Sequence, residues 1–243
     1  MQPLRSILFY VGLAPVTVLF CSLGVILLPC PRRLRYWVII QWSRCALWWL
    51  KVTCGLRWRV RGAEHIPAQA GVILCKHQSA WETMAMQFIF PPHCQVVKRE
   101  LLWVPFFGWG LACLNPIAID RSAGSKALRT ILKAGKERIS NGWWVLIFPE
   151  GTRTPIDKSG RYSASGTALA IQAQCPVVPV AHNAGLFWSR QALRKQPGTI
   201  DVVVGPPLLP DGRSASELLA AAEDWIETAC RELPPFTNTQ TSN

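Results

Sequence analysis

Acidic residues are absent from the amino-terminal part of the chain. Residues 1–63 contain nine lysines and arginines but no aspartate or glutamate, and the first acid is Glu64. The whole 243-residue chain carries a formal net charge of +12, so an anionic partner is expected: a lipid surface, a nucleic acid, or an acidic carrier or substrate. The same segment holds five of the twelve tryptophans. Basic residues and tryptophans beside apolar runs are typical of a segment at a membrane surface.

Closely spaced cysteines are also absent. The chain has nine cysteines, but none of them form the C-x2-C or C-x4-C pairs of a zinc site, which argues against such a site. They lie mostly in apolar runs such as "LFCSL" and "LACLN", so we interpret them as small core residues in a reducing compartment. No nucleic-acid-binding motif is recognised and the cations cluster beside apolar segments, which argues against a nucleic-acid partner.

Charged residues are missing from Ile7–Pro29, a run of twenty-three residues. This run is long enough to cross the roughly 30 Å hydrocarbon layer of a bilayer, and no small-x-small signal-cleavage site follows it. A second apolar and aromatic stretch, Tyr36–Leu50, is interrupted by Gln41 and Arg44 and is expected to lie at the membrane surface. We predict a membrane-embedded helical hairpin over Ile7–Leu50. The alternative is that both stretches are ordinary core helices.

From about Arg57 onward, short apolar runs alternate with helical segments. Seven runs rich in Val and Ile are predicted strands: "LRWRV", "GVILC", "CQVVK", "PIAI", "WWVLIF", "PVVPVA" and "TIDVVVG". Helices are predicted over Ser122–Ser140, Ser165–Gln174 and Ser214–Leu233. This alternation predicts an α/β domain with a mixed, largely parallel sheet flanked by helices. The predicted parts are therefore the hairpin in residues 1–55, the α/β domain in 56–233 and a disordered tail in 234–243.

The strand candidate "GVILC" is followed at once by polar residues, in the stretch "KHQSAWE". Within it, Ser79 and Glu82 fit a capping box, in which both side chains satisfy the free amides at a helix start. A cap does not explain His77. If His77 lies in the turn before the helix, the Glu82 carboxylate can fold back onto the imidazole and raise the basicity of its other nitrogen. The stretch therefore predicts either a purely structural cap or a general base, His77, braced by Glu82.

A second polar group follows the strand candidate "WWVLIF". In "FPEGTR", Glu150, Gly151 and Arg153 come at the carboxyl end of a strand, where open α/β sheets bind ligands. Gly151 lets the backbone approach a substrate closely, and Arg153 can hold a phosphate through two parallel hydrogen bonds. A solvated surface turn is the alternative. The stretch "NPIAIDR" ends another strand with Asp120 and Arg121, and a second guanidinium suits a dianionic phosphate.

A further strand candidate is interrupted by prolines. In "CPVVPVAHN", Pro176 and Pro179 cannot donate hydrogen bonds to a neighbouring strand. This predicts an edge strand, a bulge, or a wall against which a ligand packs.

Four of these stretches occur in a characteristic order. They are His77-x4-Glu82, Ile119–Arg121, Phe148–Arg153 and Val178–Val180. In this order they resemble the four sequence blocks of the glycerolipid acyltransferases, most closely those of the bacterial 1-acyl-sn-glycerol-3-phosphate (lysophosphatidate) acyltransferases. The segment Val96–Trp109 is similar to the one that this family places between its first two blocks. The resemblance runs from about Arg57 to Gly205, and the hairpin also has a family counterpart.

Two departures from the family pattern concern the site. The first block usually ends in Asp, and Glu82 adds a methylene group that a slightly wider turn can absorb. The second block usually carries a glycine and a Phe, where this chain has Asn115-Pro116 and Ala118. The second departure changes the expected shape of the acceptor pocket and not the reaction.

The resemblance implies an enzyme that moves a fatty acyl group from acyl-CoA or acyl-carrier protein to the free 2-hydroxyl of lysophosphatidate. It implies His77 as the general base and Glu82 as its orienting partner, with no metal and no bound cofactor. The expected location is the cytoplasmic face of a bacterial inner membrane, where basic residues of the hairpin meet an anionic lipid surface.

The resemblance also implies a set of substrate-binding residues. Arg121 and Arg153 are the expected phosphate clamp, and Lys98 is a weaker candidate. Glu150 is expected to hold the acceptor glycerol or to orient Arg153. The remaining members of the set are Gly151 and Thr152.

Alternative functions remain open from the sequence. One is acyl transfer to a different lysolipid, such as a lyso-ornithine lipid or a lysophospholipid in remodelling. Another is a non-catalytic membrane scaffold that keeps the fold, although an intact His77 and an intact "FPEGTR" argue against it.

Overall fold

The structure, a computed structural model, describes residues 2–156, 158–190 and 193–235. The predicted disordered tail therefore lies almost wholly outside the described residues. The strands in the described part are β1 Leu56–Arg61, β2 Val72–Cys75, β3 His93–Lys98, β4 Ile117–Ile119, β5 Trp144–Ile147, β6 Val177–His182 and β7 Gly198–Val204. The helices are α1 Gln2–Ile26, α2 Arg32–Cys54, α3 Trp81–Ile89, α4 Phe107–Cys113, α5 Ser125–Ser140, α6 Ser165–Ala173, α7 Ala184–Phe187 and α8 Ala215–Glu232.

The strands form one sheet in the order β1-β7-β6-β2-β5-β3-β4. Neighbouring strands run parallel except β6 and β7, which are antiparallel. The central strands β2 and β5 are buried at every position, as expected when helices cover both faces of a parallel sheet. Each of the seven predicted strand stretches coincides with a strand, and the predicted α/β fold with a mixed, largely parallel sheet is confirmed.

The proline-containing strand β6 lies inside the sheet, between β2 and β7, so the prediction of an edge strand is wrong. Strand β6 pairs with the end of β7 at Val180↔Val204 and with the loop after β7 at Val177↔Leu208. Between these two pairs the β7 side has one more residue than β6, and one extra residue on one side is the mark of a β-bulge. Pro179 lies in the interval, where the ladder does not require the amide hydrogen that proline lacks.

Helices pack on both faces of the sheet. One face packs against α1, α2 and α3, through side chains such as Phe9, Leu47 and Met84. The other face packs against α5, α6 and α8. Helix α5 begins three residues later than predicted, because Asp120 accepts a hydrogen bond from the Ser122 amide and stabilises a separate short turn before it.

The amino-terminal helices α1 and α2 form an antiparallel hairpin. Trp42 Nε1 donates to Thr17 Oγ1 at 2.9 Å, and Trp49 Nε1 donates to the Leu8 carbonyl at 3.3 Å. Gly55, in the left-handed conformation with φ of 68°, ends α2. Among the described residues, α1 is the one helix long and apolar enough to cross a membrane, and only 17% of its most apolar window is buried. That exposure argues against an ordinary core helix.

Helix α1 packs along the domain on one side and presents apolar side chains on the other. Phe9 is fully buried, whereas Ile7, Val11 and Leu19 are more than half exposed. The contacts with α2 and α4 follow the length of the helix, from Leu8 near its start to Gly24 near its end. The exposed apolar side of α1 indicates association with a membrane.

Candidate active site

His77 lies in the turn between β2 and α3, and Glu82 lies in the first turn of α3. His77 Nδ1 and Glu82 Oε1 are 2.9 Å apart. The imidazole therefore donates its Nδ1 hydrogen to the carboxylate, which leaves the lone pair on Nε2. The sequence predicts this contact between the Glu82 carboxylate and the His77 ring.

The same carboxylate oxygen also caps the helix. Glu82 Oε1 accepts hydrogen bonds from the Gln78 amide at 2.9 Å and the Ser79 amide at 2.8 Å. The Ser79 hydroxyl accepts from the Trp81 amide, so the capping box is formed only on the glutamate side. The sequence predicts either a helix cap or a carboxylate that orients His77. In the structure, the Glu82 side chain has both roles.

Electrostatics keep Glu82 ionised although it is fully buried. Burial acts to raise the pKa of its carboxyl, but the imidazoles of His182 and His77 and the Ser79 amide outweigh burial, so the pKa lies below its usual range. A carboxylate that stays charged can stabilise an imidazolium at His77.

The His77 ring is fixed by stacking. It lies on the ring of Phe148 with 4.0 Å between ring centroids and 18° between the planes. Among the described residues, no hydrogen bond engages Nε2. The ring is therefore oriented by Glu82 on one edge and Phe148 on one face, with Nε2 left for a substrate.

His77 and Arg153 line the same cavity, which has a volume of about 450 Å³. We call it the histidine cavity. Its other walls are apolar and come largely from the three helices α1, α2 and α4, with side chains such as Leu13, Phe20, Ile39, Trp42, Phe107 and Leu111. Among the described residues, no hydrogen bond or ion pair occupies the Arg153 guanidinium. The cavity thus combines a candidate base, an available cation and a long apolar surface.

The second arginine of the predicted clamp lies elsewhere. Arg121 lines a neighbouring cavity of about 500 Å³, together with Arg161. We call it the arginine cavity. Val96 and Phe148 line both cavities, so the two adjoin. The prediction that Arg121 and Arg153 form a single clamp stays a prediction; the two arginines line different cavities that adjoin each other.

Three other predicted binding residues lie at the rim of the site or outside it. Gly151 has φ of 66°, a conformation that favours glycine, and lines the arginine cavity. Thr152 is exposed and lines neither cavity. Lys98 is about half exposed, with Nζ 4.0 Å from Glu100 Oε2, and it also lines neither cavity.

Glu150 connects the histidine turn, the loop after β5 and Lys76. Its oxygens accept hydrogen bonds from the His77 amide at 2.8 Å and from Thr154 Oγ1 at 2.7 Å, and Lys76 Nζ lies 2.8 Å away. The side chain has no exposed surface. The prediction that Glu150 holds the acceptor glycerol or orients Arg153 stays a prediction; in the structure its carboxylate is engaged by these three protein partners.

Comparison with known proteins places the fold and the site in a family. The family model described as Acyltransferase matches residues 57–183. The chain is also 47% identical over 240 residues to the 1-acyl-sn-glycerol-3-phosphate acyltransferase of Pseudomonas aeruginosa, covering 97% of this chain and 93% of that protein. The chain belongs to the acyltransferase family. The enzyme class expected from the sequence is thereby confirmed.

More distant relatives agree with this assignment. The acyltransferase is 30% identical over 205 residues to human 1-acyl-sn-glycerol-3-phosphate acyltransferase alpha, covering 83% of this chain and 72% of that protein. Its fold is similar to the crystal structure of the 1-acyl-sn-glycerophosphate (LPA) acyltransferase PlsC from Thermotoga maritima. The TM-score is 0.79 with 23% identity, and the match covers 98% of both chains. The family fold therefore includes the amino-terminal hairpin.

Sequence reasoning missed two residues that support the acyltransferase site. The Thr154 amide donates to the His77 carbonyl at 2.8 Å, which ties the loop after β5 to the histidine turn. His182 Nε2 donates to the Lys76 carbonyl at 2.8 Å, and its Nδ1 accepts from the Ala184 amide. Burial lowers the pKa of His182, and the nearby Glu82 carboxylate opposes this only in part. The sequence signal for them was position: Thr154 comes in the loop after β5 and His182 is the last residue of β6, and both strands neighbour β2 in the sheet.

Proposed function

We propose that this acyltransferase moves a fatty acyl group from an acyl thioester to the 2-hydroxyl of 1-acyl-sn-glycerol 3-phosphate, giving phosphatidate. The observation that carries the proposal is the shared cavity of His77 and Arg153, with its apolar walls. A base, a phosphate-binding cation and an apolar surface are the three features that this pair of substrates requires. The names of the bacterial and human relatives support the same acceptor.

The chemistry follows from the free Nε2 of His77. As the acceptor hydroxyl attacks the thioester carbonyl, Nε2 removes its proton, and Glu82 stabilises the imidazolium that forms. The tetrahedral intermediate then collapses, the carbon–sulfur bond breaks, and the leaving thiolate takes the proton back from His77. Because a thioester is already activated, the proposal needs no acyl-enzyme, metal or bound cofactor. Acyl-CoA and acyl-carrier protein both meet its requirement for a donor.

The histidine cavity supplies the place for an acyl chain. Most of the residues that α1, α2 and α4 contribute to its lining are apolar, and His77 and Phe148 line the same cavity. An acyl chain buried there gains roughly 0.8 kcal/mol per methylene removed from water. The amino-terminal hairpin thus contributes directly to substrate binding in this proposal.

We expect Arg153→Ala to weaken binding of the acceptor. Arg153 lines the cavity, and no side-chain partner for it is found in the described part of the chain. A charge-assisted hydrogen bond contributes roughly 1.5–3 kcal/mol. The KM for lysophosphatidate should rise about tenfold or more, while the KM for the acyl donor stays near the wild-type value. Steady-state kinetics with each substrate varied in turn measure both quantities. Arg213→Ala, at an exposed site that lines neither cavity, is the matched control; an unchanged acceptor KM in Arg153→Ala would count against the clamp.

We also propose that the enzyme acts at the cytoplasmic face of a bacterial inner membrane, with the exposed side of α1 in the lipid. The double change Leu8→Asp and Leu19→Asp should reduce co-flotation with phosphatidylglycerol vesicles about tenfold or more, because charged side chains partition poorly into lipid. Leu209→Asp, at a similarly exposed leucine after β7, should leave flotation unchanged. Equal flotation of the wild type and the double variant would contradict the placement of α1.

The proposed acceptor is tested with purified enzyme and a panel of lysolipids. Phosphatidate formation and thiol release are measured for lysophosphatidate, lyso-ornithine lipid and lysophospholipids, each with acyl-CoA and acyl-carrier protein as donor. We expect lysophosphatidate to give the highest kcat/KM. A higher kcat/KM for another lysolipid would identify that lysolipid as the acceptor. If no combination of lysolipid and donor released thiol, the proposed acyl-transfer activity would be contradicted.

A further inference from the structure

Lys195 is a buried cation that the mechanism above does not use. It lies in the segment between α7 and β7, and only 1% of it is exposed. No carboxylate is found within ion-pair distance of its amine in the described part of the chain. Burial lowers the pKa of Lys195 to about 8, so the amine remains charged at pH 7. A buried charge without a counter-ion requires another kind of compensation.

Three aromatic rings surround the amine and supply that compensation. Nζ lies 3.6 Å from the ring centroid of Tyr10, 4.5 Å from that of Trp188 and 4.9 Å from that of Phe9. The negative face of an aromatic ring attracts a cation, most strongly where water is excluded. Nζ also donates a hydrogen bond to the Leu193 carbonyl at 2.9 Å. We call the three rings the aromatic cage.

The aromatic cage joins the amino-terminal hairpin to the catalytic domain. Phe9 and Tyr10 belong to α1, whereas Trp188 follows α7. The rings of Phe9 and Trp188 pack edge to face with 5.6 Å between their centroids. The Lys195 amide donates a hydrogen bond to Ser6 Oγ, near the start of α1, at 3.0 Å. Lys195 therefore fixes the first turns of α1 against the domain.

Two members of the aromatic cage also line the histidine cavity. Tyr10 and Trp188 line it together with Arg153, whereas Lys195 does not. Because Tyr10 is 37% exposed, a substrate can contact it. Burial raises the pKa of Tyr10, and the Arg153 guanidinium opposes this, so the hydroxyl lies within electrostatic reach of the guanidinium. A tyrosine from the hairpin and the expected phosphate-binding arginine thus share one part of the cavity.

The Tyr10 hydroxyl has a hydrogen available for a substrate. Two other hydroxyls of the cavity lining, those of Thr17 and Thr83, donate to backbone carbonyls about one turn earlier. No acceptor for the Tyr10 hydroxyl is found among the described residues. Trp188 interacts with the same hydroxyl, but an indole N–H can only donate. A phosphate beside Arg153 would supply the missing acceptor.

We propose that Tyr10 donates a hydrogen bond to the acceptor phosphate beside Arg153, and that Lys195 is a positioning residue that holds the Tyr10 ring for this contact. The inference rests on the proposed function for its choice of substrate. It extends the part of the hairpin in substrate binding from the acyl chain to the charged headgroup.

The test measures kinetic constants for Tyr10→Phe, Lys195→Met and the variant that carries both changes. Tyr10→Phe keeps a ring against the amine and removes only the hydroxyl. It should raise the KM for lysophosphatidate about tenfold, while kcat and the KM for acyl-CoA stay within about twofold of the wild type. Lys195→Met should raise the same KM by a similar factor. The double variant should raise it no further than the larger single change, because the lysine acts through the tyrosine.

Matched controls come from the second helix of the hairpin. Tyr36→Phe removes the hydroxyl of the other tyrosine in the hairpin, and Lys51→Met removes an exposed amine of α2. Neither residue lines the histidine cavity or the arginine cavity. Both variants should therefore keep the wild-type KM for lysophosphatidate.

Four outcomes would overturn the inference. An unchanged lysophosphatidate KM in Tyr10→Phe would exclude the hydroxyl from the acceptor site, and a raised acyl-CoA KM in its place would assign the hydroxyl to the donor. Lower thermal stability of Lys195→Met with an unchanged lysophosphatidate KM would make the lysine purely structural, and additive effects in the double variant would show that it does not act through Tyr10.

The design separates this inference from the proposed function. If Lys195→Met does not fold, Tyr10→Phe, which leaves the aromatic cage in place, decides the inference alone. All of the outcomes above are measured against an active wild type. A wild type that transfers no acyl group to lysophosphatidate contradicts the proposed function itself, so the two failures are distinguishable.

Discussion

His77→Ala is expected to lower kcat about 10²–10⁴-fold, the usual contribution of a general base. The effect should be large because the described residues that line the histidine cavity include no second histidine and no carboxylate. Glu82 is fully buried, and its hydrogen-bonded oxygen is already shared by three donors. The KM values should change little, since the cavity walls and Arg153 remain. Thiol release under saturating lysophosphatidate and acyl-CoA measures the loss.

The control for this prediction is His65→Ala. His65 is exposed and lines neither cavity, so its removal should leave kcat unchanged. The kcat of Glu82→Gln should lie between those of His77→Ala and His65→Ala. An amide oxygen can still accept hydrogen bonds from the Gln78 and Ser79 amides, but the charge that stabilises the imidazolium is lost. A folded His77→Ala enzyme with more than about a tenth of wild-type turnover would refute the role of His77 as base.

The pairing of His77 with Glu82 could be predicted because both residues lie within one turn and one helix start. Local geometry limits where a carboxylate at a helix start can reach, and five residues of sequence specify that geometry. The strands could be predicted for a related reason. Runs of Val and Ile between Gly and Pro indicate a buried sheet, and all seven runs form strands.

The arginine clamp could not be predicted in the same way, because it depends on the order of strands in the sheet. Arg121 follows β4 and Arg153 follows β5, and the chain gives no sign that β3 lies between those two strands. The strands that precede the two arginines are therefore not neighbours in the sheet. The two arginines line different cavities.

The buried partner of Glu150 could not be predicted from the sequence. Lys76 directly follows β2 and, in the sequence, resembles a surface cation before a turn. In the fold it is 1% exposed, and Nζ lies 2.8 Å from Glu150 Oε1 and 2.6 Å from Glu227 Oε1. Glu227 comes from α8, far along the chain, and no local pattern connects these three residues.

This buried cluster leads to the second large prediction, that Lys76→Met destabilises the protein by about 3–5 kcal/mol, the usual result of removing one partner of a buried ion pair. Burial alone would lower the pKa of Lys76, but Glu150 and Glu227 outweigh it, so the pKa lies above its usual value and the amine stays charged. Without that amine, the Glu150 carboxylate would remain buried and charged with only neutral donors. Urea unfolding in detergent micelles, followed by tryptophan fluorescence, measures the change.

Lys133→Met is the matched control, since Lys133 is exposed on α5 and a change there should stay within about 0.5 kcal/mol. Stability and catalysis should fall together in Lys76→Met, because Glu150 also accepts the hydrogen bond from the His77 amide. A free energy of unfolding within about 1 kcal/mol of the wild type would show that the carboxylates find other compensation. The placement of His77 would then depend on Glu82, Thr154 and Phe148, with no contribution from the lysine that precedes it.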